Sequence, residues 1–204
     1  MTEQSLHSAS FWESKYQTGQ SRWDLGQPAP PLVSFFESAI APQAGNVVVL
    51  GCGQGHDAVF LAQQGLAVTA VDFAPSAIAA TKELAQQKNC SVDLLEQDIF
   101  TLAASHPRQF QFLFEHTCFC AIAPEQRQKY VELAASILQP QGQLFGIFFT
   151  HDRAGGPPFG STPAEIRALF STYFDVLTLT PISNSVPSRQ EDEHWAIFQK
   201  KVLS

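Results

Sequence analysis

The sequence predicts an α/β fold, a mainly parallel sheet with helices on both faces. Three observations carry that expectation. Apolar, often β-branched runs alternate with helix-like segments from residue 46 to about residue 180. Several of these runs are apolar throughout, as strands buried on both faces are. The breaks between them fall on Gly and Pro, which punctuate helix ends and starts.

Taken in order, Asn46-Val47-Val48-Val49-Leu50 is the first strand and ends at Gly51. A helix pattern follows over about 56–64, closed by Gly65, and residues 66–71 form the second strand. Pro75 opens an Ala-rich helix to about Gln87, at a position where its missing N–H costs nothing. Residues 92–95, 110–114 and 144–149 read as three further strands. Pro124 opens a helix to about Leu138, and Pro140-Gln141-Gly142 is expected to turn the chain into the strand at 144. Pro163 opens a short helix to about Phe170, and residues 174–179 and 195–199 are the last strands.

The 204 residues suit one domain, enough to bury roughly 70% of the unfolded surface without disulfides or metal. Hydrophobic residues at 45% and charged residues at 15% exclude a disordered chain and a coiled coil. A net charge of −7 argues against a nucleic-acid partner, because phosphate binding depends on clustered Lys and Arg. No apolar run is long enough to span a membrane. The opening Met1-Thr2-Glu3-Gln4-Ser5 lacks the basic and apolar regions of a secretory leader. Cys52, Cys90, Cys118 and Cys120 show no paired zinc spacing. A cytoplasmic, monomeric protein without metal is expected, acting on a small molecule.

Residues 1–42 stand outside the alternation. Phe11, Trp12, Tyr16 and Trp23 fall within thirteen residues, followed by prolines at 28, 30 and 31. So much apolar surface is not left in water, so this segment is expected to be a helical extension with a loop, laid over one sheet edge. Residues 43–204 form the core.

Gly51, Gly53 and Gly55 lie at the turn from the first strand into a helix, where the backbone must bend sharply and approach a ligand closely. Asp72 follows Gly51 by 21 residues, at the end of the second strand. An acid there can accept from both ribose hydroxyls of an adenosine ligand. The G-x-G-x-G spacing, with His56-Asp57 after it, departs from the G-x-G-x-x-G of dinucleotide sites. Asp57 would repel a pyrophosphate but can tolerate an amino acid tail, which favours S-adenosylmethionine. Asp98, after the third strand, is placed to accept from an adenine amino group.

These residues resemble the thiopurine S-methyltransferase family, nearer its bacterial and plant thiol and halide methyltransferase branch. The motifs are Phe11-Trp12-Glu13 to Tyr16, Gly19 and Trp23-Asp24-Leu25-Gly26; Leu50 through Asp57; Phe119-Cys120-Ala121-Ile122; Gly156-Pro157-Pro158-Phe159; and Val186-Pro187-Ser188-Arg189. The resemblance spans essentially the whole chain. It implies a class I S-adenosylmethionine-dependent methyltransferase with a Rossmann-like, seven-stranded sheet, mostly parallel with the last strand antiparallel. One domain over 1–204 is expected, in which the aromatic residues of 1–42 form a lid over the cofactor. Carried over residue by residue, the family's cofactor contacts fall on Trp12, Tyr16, Trp23, Gly51, Asp72, Asp98, Ile99 and His116, alongside the loop glycines Gly53 and Gly55. Tyr16 stands where the plant branch commonly has Trp, and His116 where it usually has Tyr.

Methyl transfer is an in-line displacement that requires alignment and exclusion of water. Trp12 and Tyr16, four apart, share one helix face and, with Trp23, can turn π-faces to a sulfonium. A soft acceptor such as a thiol, hydrosulfide, thiocyanate or halide needs orientation more than a base, which suits a sequence with no nucleophile–base pair. Metalloid oxyanions of selenium or tellurium are an alternative acceptor, and a non-catalytic S-adenosylmethionine sensor or a dinucleotide oxidoreductase are rival classes. His116 is the catalytic candidate, either as acid–base group or as cofactor ligand. Phe119, Arg153, Phe159 and Arg189 are candidates for the acceptor site. Cys118 and Cys120 share one face if the strand persists that far, and are expected as packing, and Glu115 is expected as a structural residue on the opposite side from His116.

Overall fold

A computed structural model describes residues 8–202; residues 1–5, on which the leader expectation rests, lie outside it. The chain divides into two compact units, Met1–Ile99 and Phe100–Ser204.

In the first unit, Ser8 starts helix α1 (Ala9–Gln17) by accepting from the Phe11 N–H, the usual way to satisfy an unpaired donor at a helix start. Helix α2 (Pro30–Phe36) opens on two prolines. Strand β1 (Asn46–Leu50) is buried from Val47 onward, as its continuous apolar run predicts. Helix α3 (His56–Gln63) leads to β2 (Ala67–Asp72), then α4 (Pro75–Gln87) leads to β3 (Asp93–Glu96). Strands β1, β2 and β3 are mutually parallel neighbours, with Leu50 opposite Val71 and Asp72 opposite Glu96.

The second unit holds the short helix α5 (Leu102–Ser105), β4 (Phe110–His116), α6 (Arg127–Ile137), β5 (Leu138–Phe149), α7 (Pro163–Phe170), β6 (Phe174–Pro181) and β7 (Glu193–Lys200). Helix α7 carries a full capping box: Thr162 accepts from the Glu165 N–H, and Glu165 accepts from the Thr162 N–H. Strand β5 is parallel to β4 and antiparallel to β7, which is also antiparallel to β6. The sheet order is β3-β2-β1-β4-β5-β7-β6. This is the expected seven-stranded, mostly parallel sheet with an antiparallel last strand.

Much of the phenylalanine content packs the second unit. Phe170 meets Phe198 at 4.8 Å, Phe148 at 5.5 Å and Phe174 at 5.7 Å, and Phe119 meets Phe148 at 5.3 Å. Tilted and edge-on ring pairs of this kind add about 0.5–1.5 kcal/mol each beyond area burial.

Three expectations change. Strand β5 begins at Leu138, not at 144, and helix α6 stops at Ile137. Pro140-Gln141-Gly142 is absorbed as an irregularity within β5, with Gln141 at φ 61°; residues 139–142 stand opposite Gln111 alone, because Phe110 faces Leu138 and Phe112 faces Gln143. The helix expected from Pro124 opens with a 3-10 turn over Pro124–Gln126. Cys118 and Cys120 do not share a strand face, since β4 ends at His116 and Phe119–Ala121 is a 3-10 turn. The reason is Glu115, whose Oε1 draws in the N–H groups of Cys118 at 2.9 Å and Phe119 at 2.8 Å. That pull bends the chain, and Thr117 takes φ 63°. Both cysteines are buried. Among the described residues, no helix is long and apolar enough to cross a membrane.

Candidate active site

The first unit builds a glycine cradle roofed by aromatic rings. Gly53 has φ +57°, and a Cβ on it would lie 3.3 Å from the Tyr16 hydroxyl and 3.9 Å from Trp23 Nε1. Gly55 caps α3 at φ +83°, and a Cβ there would collide with Thr81 at 2.5 Å. Only glycine meets both the left-handed conformation and the close approach. Above the loop, Trp23 takes Trp12 edge-on at 5.2 Å and Tyr16 at 5.5 Å. Burial and the Asp72 charge push the Tyr16 phenol well up, so it stays protonated. Burial likewise pushes the Cys52 thiol up, away from thiolate chemistry.

Asp72, 6% exposed, closes β2 beneath this loop. Its Oδ2 accepts from the Gly53 N–H and its Oδ1 from the Ala74 N–H, both at 3.0 Å. Burial raises its carboxyl above the usual range, against the backbone N–H groups of Ala74, Gly53 and Phe73. A carboxylate offers about four acceptor directions, so bracing the loop leaves acceptor capacity for a ribose diol. Asp98 is exposed just past β3, and Ile99 starts a 3-10 turn.

The extension is anchored by contacts that sequence reasoning missed. Glu13 accepts from the Ser76 N–H at 2.9 Å and from the Ser76 hydroxyl at 2.5 Å, which caps α4 where its own N-cap residue, Ala74, supplies nothing. These bonds hold the Glu13 carboxyl below its usual range. Asp57, read from sequence as repelling a pyrophosphate, accepts from the Ala29 N–H at 2.8 Å. Asp24 lies 3.5 Å from His56 Nε2. Another missed residue is Gln97, whose Nε2 is buried without a hydrogen-bond partner. The only hint in sequence was its place beside Asp98. This orphaned donor, the glycine cradle and the Asp72 carboxylate fit a purine nucleoside bearing a ribose.

The second unit gathers its polar groups at the carboxyl end of its strands, where open α/β sheets bind ligands. His116 ends β4 and stands opposite Ile147 in β5. Glu193 begins β7 opposite Phe149, the last residue of β5. A 3-10 turn over Pro187–Arg189 presents Arg189, whose Nη1 lies 2.9 Å from His116 Nε2 and 3.3 Å from Glu193 Oε1. Arg189 is 7% exposed and Glu193 3%, and the Ser185 hydroxyl donates to the other Glu193 oxygen. Arginine has no acceptor, so the guanidinium donates and His116 Nε2 must be unprotonated. The imidazole carries its proton on Nδ1. A proton can reach Nε2 only by breaking the Arg189 bond, which weighs against His116 as a base through that nitrogen.

Glu115 is structural, as its expected orientation suggested: fully buried, it accepts from the Tyr130 hydroxyl as well as from the 118–119 turn. Burial raises its carboxyl to about 7 against these donors. Phe119 sits in the aromatic core, 1% exposed, against Tyr130 and Phe148, where it supports the turn after His116. Phe159 is partly exposed, and its N–H donates to the Cys120 carbonyl at 2.7 Å. Arg127 fixes the same loop by donating to the carbonyls of Phe159 and Gly160, both at 3.0 Å. Arg153 is spent on Asp192, at 2.7 and 3.2 Å, with its side chain 57% exposed. Among the described residues, no group of three or more His, Cys, Asp and Glu side chains could hold a metal ion.

The chain is 29% identical over 200 residues to "Probable thiol methyltransferase 2" of Arabidopsis thaliana, covering 96% of this chain and 87% of that protein. It is 30% identical over 192 residues to "Thiocyanate methyltransferase 1" of Brassica oleracea, covering 93% and 80%. In fold it is similar to the Burkholderia thailandensis 1,6-didemethyltoxoflavin-N1-methyltransferase, solved with 1,6-didemethyltoxoflavin and S-adenosylhomocysteine bound. That match has a TM-score of 0.77 and 20% identity, and covers 95% of this chain and 87% of that one. The family model for thiopurine S-methyltransferase (TPMT) matches residues 7–203, and with these relatives it places the chain in the thiopurine S-methyltransferase family.

Proposed function

We propose that this protein transfers a methyl group from S-adenosyl-L-methionine to a small soft nucleophile of the thiol or thiocyanate type. The observation that carries the reading is the glycine cradle, with Asp72 beneath Gly53 and the rings of Tyr16 and Trp23 above it, in a member of this family. When bound, S-adenosylmethionine supplies an electrophilic methyl on a sulfonium and leaves as S-adenosylhomocysteine. Asp72 would hold the ribose, Gln97 and Asp98 the adenine edge with Ile99 beside it, and Gly51, Gly53 and Gly55 the close backbone approach. Trp12, Tyr16 and Trp23 would exclude water and face the positive sulfur, a contact worth ~0.5–2 kcal/mol.

On the acceptor side, His116 is read as a neutral orienting group and Arg189 as the fixed positive neighbour that holds it. Phe159 would shape the acceptor wall. The reading takes the enzyme as a cytoplasmic monomer and a single domain, and the net charge of −7 supports a small-molecule acceptor over nucleic acid. The test is label transfer from methyl-labelled cofactor to a panel of thiols, hydrosulfide, thiocyanate, halides and selenium or tellurium oxyanions. Transfer to sulfur or halide is expected. Transfer to oxyanions alone would move the acceptor class, and binding of S-adenosylhomocysteine with no transfer to anything would make the protein a sensor.

A further inference from the structure

We propose that Glu193 sets the charge preference of the acceptor site: by neutralising Arg189 it holds the enzyme toward uncharged thiols, and without it the site favours small anions. The inference rests on Arg189 and His116 lying on the acceptor side, as read above.

Ser185, Arg189 and Glu193 are buried and His116 is half-buried, and the charges of the group balance internally. Both Glu193 oxygens are engaged, one by Arg189 and one by Ser185, which sets the carboxylate's charge against the guanidinium. Arg189 is a cation without acceptors, and His116 takes its hydrogen bond at Nε2. The sum over Ser185, Glu193, Arg189 and His116 is therefore zero. The next acid along, Asp192, is committed to Arg153 at 2.7 Å on the exposed side, and Glu115 is turned to Tyr130 and the 118–119 turn.

A soft anion approaching Arg189 thus meets a cation whose field is cancelled by a carboxylate 3.3 Å away. With little solvent to screen it, that carboxylate also repels the anion directly. A neutral thiol meets neither penalty; as its S–CH3 bond forms and the sulfonium's S–CH3 bond breaks, its proton passes to water. Replacing Glu193 by an uncharged isostere leaves a buried cation without its counter-charge, and such a cation draws in an anion.

The test compares parent, Glu193→Gln and Ser185→Ala, all as the full chain, with thiocyanate and with 2-mercaptoethanol, un-ionised at pH 7, as acceptors. Glu193→Gln should raise the ratio of kcat/KM for thiocyanate to that for the thiol by about tenfold or more, mainly through a lower KM for thiocyanate. Ser185→Ala, which removes a hydrogen bond but keeps the charge, should leave the ratio within about twofold. If Glu193→Gln changes both acceptors in parallel, or Ser185→Ala shifts the ratio as much, Glu193 is only structural and the proposal fails. Should Glu193→Gln prove too unstable to assay, low-millimolar thiocyanate at constant ionic strength, with S-adenosylhomocysteine present, should raise its Tm more than the parent's. Equal shifts overturn the proposal. If the parent methylates neither compound, the methyltransferase reading fails, while the Tm comparison still tests the role of the Glu193 charge.

Discussion

Two buried carboxylates occupy similar places in the two units and are satisfied in different ways. Asp72 ends β2, and its ligands are backbone N–H groups of the adjoining loops, Gly53 and Ala74. Glu115 is one residue from the end of β4. It takes a hydroxyl from Tyr130, fifteen residues away on α6, as well as the two N–H groups of the turn it creates. The first kind of site follows from backbone geometry and needs only glycine and an acid at the right spacing. The second needs a particular side chain to arrive from another element. Hence the glycine-loop region is described by a short motif, whereas the region around His116 is held by partners far apart in sequence.

Removing Glu115 should have the largest effect. Glu115→Ala leaves one hydroxyl and two N–H groups without an acceptor in a dry interior, at ~1–3 kcal/mol each, so a loss of about 3–5 kcal/mol is expected in urea unfolding. A loss below about 1 kcal/mol would mean the turn does not depend on this carboxylate. The pH dependence has a definite sign. Burial raises the folded carboxyl from 4.5 to about 7, so the folded state holds the proton more tightly than the unfolded one. The stabilisation from this group is complete below about pH 4.5 and is lost as pH rises through 7, with a span of order 3 kcal/mol. Relative to the parent, Glu115→Gln should therefore gain stability between pH 5 and 8; a flat difference would break the assignment.

Asp72→Ala should weaken S-adenosylmethionine binding by roughly 1.5–3 kcal/mol, about 10- to 150-fold, the scale of hydrogen bonds to a charged group. Calorimetry on the folded variant reads it directly. Unchanged affinity would reduce Asp72 to its brace between Gly53 and Ala74, and the contrast with Glu115 would shrink to one of donor type.

The smallest effect belongs to the latch on the extension. Glu13→Ala removes the cap on α4, worth ~1 kcal/mol or less at a solvent-screened site. Amide exchange over residues 8–30 should quicken in the variant and slow again with saturating S-adenosylhomocysteine. Equal, high protection in parent and variant, with and without product, would make the aromatic segment a fixed part of the first unit rather than a lid.

Legibility in sequence follows the same division. Pro75–Gln87 and Pro163–Phe170 form where proline and periodicity put them, because both signals act within one or two helical turns. Cys118 and Cys120 fall outside the strand because Glu115 bends the chain just after β4, and β5 starts before residue 144 because pairing with β4 carries the strand through Pro140. Propensity marks a break at Pro140-Gln141-Gly142. The parallel partner accommodates it as a bulge. Gln97, Glu13 and Glu193 are ordinary polar residues in sequence, and each draws its importance from what it is buried against.

By itself, the sequence determined the alternation of strand and helix, the glycine turn at residues 51–55 and the acid at the end of β2. These depend on steric limits of the backbone and on apolar periodicity, both readable within a few residues. Only the tertiary structure decided that His116 accepts from Arg189, 73 residues away, and so carries its proton on Nδ1. It also decided that Glu193 balances that arginine and that Glu13 caps a helix 63 residues on. A buried polar atom must find a partner. Which partner is set by the packing of strands and turns that no local pattern encodes.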